Sequence, residues 1–277
     1  MSIELTAPSV VSIDPRYAGI ARLYGIDGLA KLRAAHVLVI GVGGVGSWAA
    51  EALARSGLGR LTLIDMDHVA ESNVNRQVHA LHSTLGAAKV AVMAERVRDI
   101  SAACDVRVVD DFVTLDNVEQ LVPPEADAVI DAIDSPRAKA ALIAACVRRG
   151  QPIAVSGAAG GRTDPLALRS ADLALTSGDA LLASVRSRLR RDHGFSRESG
   201  APFGVNAIFA PAPGVARAPP DDAASRGPAG APLACAGYGS IVTVTASMGL
   251  AAAAWAIGVL TARAAAATRA MPRGDRR

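Results

Sequence analysis

The chain has 277 residues, of which 51% are hydrophobic and 20% charged, which excludes wholesale disorder. Aromatic residues make up only 3%. The core must therefore be built from Val, Leu, Ile and Ala, which suits helices packed on a parallel sheet. A net charge of +3 is too small to imply nucleic-acid binding by itself, though it permits it.

Residues 1–15 read as a frayed tail, with no basic patch followed by an apolar run of the secretory kind. Residues 16–33 read as a helix, with Tyr17, Ile20, Leu23, Ile26 and Leu29 at roughly helical spacing. HVLVIG, 36–41, is a short buried strand. The glycines of GVGGVG follow, then the helix SWAAEALARSG and a second strand at 61–65. The series has the size of one βαβ unit. The alternation continues with a helix at 86–100, a strand at 106–111, a short helix at 116–122 and a strand at 126–134. A helix at 136–150 and a strand at 152–157 complete it. Such alternation predicts a doubly wound α/β sheet.

Beyond residue 160 the pattern changes. Residues 179–193 form a basic helix, and 211–232 hold six prolines and read as a mobile loop. From Gly227 to Ala262 there is no charge at all. Residues 241–262 are long enough to cross a bilayer, but Thr243, Thr245, Ser247, Gly249 and Gly258 interrupt them. A strand followed by a buried helix is the preferred reading, so membrane association is not expected.

Chemistry concentrates in four places. Gly41, Gly43 and Gly46 lie between a strand and a helix, where backbone N–H groups can approach a phosphate. Asp65 ends the next strand, where a carboxylate can take a ribose hydroxyl. These features suit NAD or ATP equally. Asp67, Asn73, Asn75, Arg76 and Gln77 follow directly, with Lys89 on the next helix. A cationic pair beside a phosphate cradle suits a triphosphate better than hydride transfer; otherwise both cations are solvated surface groups. Asp131 and Asp134 fall at the end of a strand. One of them could hold Mg²⁺, or Asp131 simply caps the turn. On the basic helix, Arg186, Arg190 and His193 share one face, and Arg188 and Arg191 another. That helix is either a solvated face or a phosphate-backbone contact.

Cysteine offers little. Cys104, Cys146 and Cys235 are far apart, and without a CxxC pair they make neither a disulfide framework nor a four-cysteine zinc site. This fits a reducing, intracellular setting. Cys235, in LACAGYGS, reads as a thiol nucleophile or, more simply, a small buried residue.

Taken together, GVGGVGSWAAEALARSG, LTLIDMDHV, SNVNRQVHAL, GAAKVAVMAERV and VIDAIDSPRAKAALI resemble the ThiF/MoeB/ubiquitin-activating superfamily. RYAGIARLYG, SGAAGGRTDP and GYGS are similar to its tRNA threonylcarbamoyladenosine dehydratase branch. The resemblance spans about residues 16–262. It implies a Rossmann-like three-layer α/β fold with a mixed sheet and C-terminal additions, followed by a basic tail at 263–277. It also implies that ATP·Mg²⁺ adenylates the threonylcarbamoyl carboxylate on tRNA, after which the side chain cyclises and AMP leaves. Carried over, Gly41, Gly43, Gly44 and Gly46 line the phosphates and Asp65 takes the ribose. Asp67 and Asn75 belong to the same ATP site. Asn73, Arg76 and Lys89 contact the phosphate chain, and Asp134 is linked to the metal. An N-terminal arginine acts in a partner's site, with Arg22 favoured over Arg16. The basic-helix residues Arg186, Arg188, Arg190 and Arg191 would meet tRNA. The resemblance further implies a cytoplasmic homodimer, with a cysteine desulfurase and its sulfur-acceptor protein as associates. Activation of a ubiquitin-like sulfur carrier is the alternative activity. A membrane-attached nucleotide-binding partner without catalysis is a third reading.

Overall fold

The computed structural model describes residues 13–211 and 238–262. The readings of a tail at 1–12, of most of the loop at 211–232, of Cys235 and of the tail at 263–277 lie outside the described residues.

A seven-stranded sheet forms the middle layer, in the order β3-β2-β1-β4-β5-β7-β6. Its strands are β1 (His36–Ile40), β2 (Arg60–Ile64), β3 (Asp105–Val109), β4 (Ala128–Asp131), β5 (Ile153–Ser156), β6 (Arg169–Asp172) and β7 (Asn206–Phe209). All adjacent pairs are parallel except β6 with β7. The sheet is therefore mixed, as the resemblance implies.

The helices are α1 (Ala18–Ala34), α2 (Gly46–Arg55), α3 (Lys89–Ile100), α4 (Val118–Leu121), α5 (Pro136–Arg148), α6 (Ala180–Asp192) and α7 (Val242–Ala262). Strand periodicity sorts them into two outer layers. Val37 and Val39 face a core shared with α2, α3 and α7, whereas Leu38 and Ile40 face one shared with α4, α5 and α6. Both faces of β1 are buried, which is why HVLVI is apolar at nearly every position.

Three expectations change. The helix at the N-terminus is broken at Gly25, whose φ of +78° suits glycine and few other residues. The spacing of Leu23 and Ile26 thus loses its register, and both are exposed. The C-terminal segment is one helix of 21 residues, not a strand and a helix. Its β-branched start is held helical by packing: Val244 and Thr245 are buried, and Thr245 Oγ1 donates to the Arg76 carbonyl at 3.3 Å. Tertiary contact here overrides β propensity. Lastly, β4 stops at Asp131, so Asp134 lies in the loop beyond it.

α7 is long and apolar enough to cross a membrane by composition, yet Val244, Met248, Ala252, Ala256 and Leu260 are buried inside the protein. Gly249 explains the fit. A Cβ at Gly249 would stand 2.3 Å from the Val45 carbonyl oxygen, so α7 and α2 touch backbone to backbone. The strand pair β6–β7 was not legible: Arg169–Asp172 has no apolar alternation and only half-buries two residues.

Candidate active site

Strand order reverses between β1 and β4, and ligands of open α/β sheets bind at the carboxyl ends of such strands. A cleft of about 1060 Å³ opens there. The glycine turn forms its floor. A side chain at Gly41 is excluded twice, by φ of +84° and because its Cβ would lie 2.9 Å from the Ala132 carbonyl. Gly46 serves a different purpose from Gly43 and Gly44. It does not line the cleft; its missing Cβ would sit 1.9 Å from the Gly41 oxygen, so it lets the turn close. Within the described residues the N–H groups of Gly43 and Gly44 make no hydrogen bond, and both residues face the cleft.

Asp65 fastens this turn to β2. Its Oδ2 accepts from the Val42 N–H at 2.6 Å and its Oδ1 from the Asp67 N–H at 2.8 Å. Burial pushes its carboxyl above the usual range, opposed by these donors and by Lys89. The remaining lone pairs face the cleft and suit ribose hydroxyls.

Lys89 opens α3 and is buried, with Nζ 2.7 Å from Asp67 Oδ2. Arg76 is only half-buried. Its Nη1 donates to the Ser72 carbonyl at 2.6 Å and to Asn75 Oδ1 at 2.9 Å, and it makes no ion pair among the described residues. Asn73 Oδ1 accepts from the Ala70 N–H at 3.1 Å and so shapes the loop while lining the cleft. Asn75 departs from its expected place. It does not line the cleft, and its Nδ2 donates to the Ser240 carbonyl at 2.8 Å, pinning the segment before α7.

Asp131 and Asp134 divide their work. Asp131 is fully buried; Oδ1 takes the Ile133 N–H at 3.0 Å and the Lys139 ammonium at 2.9 Å. It caps the turn. Asp134 is exposed, lines the cleft, and has no hydrogen bond or ion pair among the described residues. A single free carboxylate fits Mg²⁺ only when phosphate oxygens supply most of the other ligands. No cluster of three or more His, Cys, Asp or Glu exists among the described residues to hold a metal alone.

Arg22 is exposed on α1 and does not line the cleft of its own chain. Arg16 is engaged with Asp14 at 2.7 Å. The basic helix α6 is largely spent on internal contacts. Arg186 donates to Thr176, Arg190 lies over the Phe203 ring at 5.3 Å, and Arg191 pairs with Asp192. Arg188 is half-buried. Burial pushes the Cys104 and Cys146 thiols to about 11 and about 12, so neither supplies a thiolate near neutrality.

Two parts of the cleft were missed in the sequence. Phe112, Val113 and Ile133 give an apolar wall beside Asp65. On the other side of the glycine turn lie Gly157–Gly160, Arg162, Asp179 and Tyr238. Asp179 Oδ2 accepts from the Ala158 N–H at 2.9 Å, and Arg162 lies 3.5 Å from it. The local signals were the SGAAGGRTDP and GYGS motifs, which carry the resemblance but assign none of these residues a role.

His79 sits behind Lys89, 1% exposed, with neither ring nitrogen partnered among the described residues. Burial, with Lys89 and Arg96 adding to it, pushes its pKa down to about 4. The unfolded value is near 6.5, so stability is full above about pH 6.5 and falls towards pH 4, by roughly 2–3 kcal/mol. His79→Phe is expected to remove that part of the slope. Urea midpoints of both proteins across this range check it; parallel slopes would refute it.

A glycine turn, a buried carboxylate and two cations line one cleft at a sheet's switch point, where α/β nucleotide-binding proteins hold their ligands. The chain belongs to the ThiF family, whose model matches residues 16–272. It is 48% identical to the tRNA threonylcarbamoyladenosine dehydratase of Escherichia coli K12 over 258 residues, 90% of this chain and 95% of that one. It is 45% identical to the Haemophilus influenzae protein of the same name, covering 85% and 89%. The crystal structure of the E. coli dehydratase TcdA in complex with ATP superposes with a TM-score of 0.82 at 45% identity, covering 92% of this chain and 99% of that one.

Proposed function

We propose that this protein is an ATP-dependent tRNA threonylcarbamoyladenosine dehydratase. The observation that carries the reading is the continuity of the cleft. One side of the glycine turn has the nucleotide features, Asp65 with the Phe112 wall. The other side, at Gly157–Gly160, is open for a second molecule. The relatives named above supply the identity of that molecule.

The chemistry follows from the groups present. A carboxylate is a poor electrophile until its oxygen carries a good leaving group. The threonylcarbamoyl carboxylate attacks the α-phosphorus of ATP; a P–O bond forms, another breaks, and pyrophosphate leaves. Gly43 and Gly44 offer N–H donors to the phosphates, while Arg76 and Lys89 stabilise charge on the departing pyrophosphate. Asp134 is the residue that would hold Mg²⁺, which would offset the negative charge of the phosphates. A nucleophilic atom of the same modified side chain then attacks the acyl-adenylate and AMP leaves, so the nucleoside loses one water overall. Ring closure is intramolecular and needs no enzyme nucleophile. The inert Cys104 and Cys146 agree with that.

The wider assembly belongs to the same proposal. The protein works in the cytoplasm as a homodimer in which Arg22, exposed and without an ion pair among the described residues, serves the partner's site. The sulfur-transfer pair acts as an associate, and α7 stays off the membrane. Of the α6 arginines, Arg188 and the outer edge of Arg190 are the ones left for tRNA phosphates.

ATP–pyrophosphate exchange with purified protein tests the reading. Exchange is expected only with tRNA carrying threonylcarbamoyladenosine, with loss of one water from the nucleoside, and Asp134→Ala should abolish both. Exchange driven instead by a carrier protein ending in Gly-Gly would replace this reading with sulfur-carrier activation.

A further inference from the structure

Among the residues lining the cleft only Phe112 and Tyr238 are aromatic, and they stand on opposite sides of the glycine turn. Phe112 follows β3, beside Val113 and close to the Asp65 end of the sheet. Tyr238 lies against the Gly157–Gly161 turn; a Cβ on Gly160 would be 3.1 Å from its own Cβ.

The backbone directly after Tyr238 is tied at two successive residues. The Gly161 N–H donates to the Gly239 carbonyl at 2.7 Å, and Asn75 Nδ2 donates to the Ser240 carbonyl at 2.8 Å. The strap so formed links the Arg76 loop to the Gly157–Gly161 turn. Its aromatic side chain is not used by the core. Tyr238 joins none of the hydrophobic clusters, is 39% exposed, and its hydroxyl has no partner among the described residues. Tyr17 shows the contrast: it is buried, with its hydroxyl on Ser101 at 2.8 Å.

The reaction brings together two adenine rings, one of ATP and one of the target nucleoside. Bases of single-stranded loops are bound by splaying them out onto aromatic faces. We propose that Tyr238 is the stacking platform for the target nucleoside, holding its base on the Gly157–Gly161 side while Phe112 serves the nucleotide side. This rests on the dehydratase reading and assigns a residue to its acceptor half. The strap also gives Asn75 a purpose, since it couples the platform to the residue next to Arg76.

The test compares wild-type protein with Tyr238→Leu, Tyr238→Phe and Tyr238→Trp. The probe is an anticodon stem-loop bearing threonylcarbamoyladenosine. Tyr238→Leu is expected to weaken stem-loop binding, measured without ATP, by about tenfold or more, and to raise KM by a similar factor with little change in kcat. Phe and Trp should restore both, and ATP affinity should be unchanged in all three. Unchanged stem-loop binding in Tyr238→Leu would overturn the proposal. So would a loss of ATP affinity, which would put the ring on the nucleotide or in the scaffold. Wild-type turnover of the stem-loop tests the dehydratase reading, whereas the ratio of binding constants tests the platform, so the two fail separately.

Discussion

Arg76→Ala is expected to slow ATP–pyrophosphate exchange by about 10²- to 10³-fold, with thermal stability nearly unchanged. The two cations of the cleft differ in what already neutralises them. Lys89 has its charge answered by Asp67 at 2.7 Å. Among the described residues Arg76 meets only a carbonyl and an amide oxygen, so no carboxylate there compensates its charge. Developing negative charge on a leaving pyrophosphate gains most from the uncompensated one. Stability should survive because the structural duty at this position falls on the backbone. The Arg76 carbonyl accepts from Trp48 Nε1 at 3.0 Å and from Thr245 Oγ1, and alanine keeps it. Arg76→Lys keeps the charge but loses the planar fork, and should fall between the two. Exchange at the wild-type rate in Arg76→Ala would remove this side chain from the mechanism.

The nucleotide half of the cleft could be read from the sequence because its parts are local. Gly41, Gly43 and Asp65 belong to one strand–turn–helix–strand unit, and their spacing fixes where they meet. Residues joined by distant contacts were harder to read. Asn75 is expected in the ATP site beside Arg76, but its side chain turns to Ser240, 165 residues away in sequence. The α6 arginines read as two charged faces open to phosphates, yet Thr176, Phe203 and Asp192 occupy three of them. Phe112 carried no signal, because a lone aromatic beside a loop has no periodicity, and the GYGS motif marked the segment of Tyr238 without giving that residue a role. The C-terminal helix differs at its start for the related reason that β-branched Val242–Thr245 favours strand until Gly44 and Arg76 are in contact with Thr245.

The largest effect on stability is expected from Lys139→Met. Lys139 and Asp131 have fully buried side chains, 2.9 Å apart, and Nζ also donates to the Asp131 carbonyl at 3.2 Å. Removing one partner of such a pair leaves an uncompensated charge and costs about 3–5 kcal/mol. The pH dependence has a definite sign. Burial pushes the Asp131 carboxyl upward, and Lys139 is the main force opposing it. Without Lys139 the folded protein holds the proton, while the unfolded chain releases it near pH 4. Stability of the variant is therefore greatest below that value and is lost as pH rises through the folded pKa, so its deficit should be larger at pH 8 than at pH 5. Urea unfolding at both values measures this, and equal deficits would count against it. Asp131→Asn with Lys139→Met keeps an acceptor for the Ile133 N–H and removes both charges, so most of the loss should be recovered. The pair's purpose is then open to measurement. Asp131 fixes the turn that carries Asp134, and Ala132 in that turn presses on Gly41. A double variant that folds well but needs more Mg²⁺ and ATP for exchange would show that the buried charges set the geometry of the phosphate site. A double variant with wild-type requirements would leave the pair a structural role alone.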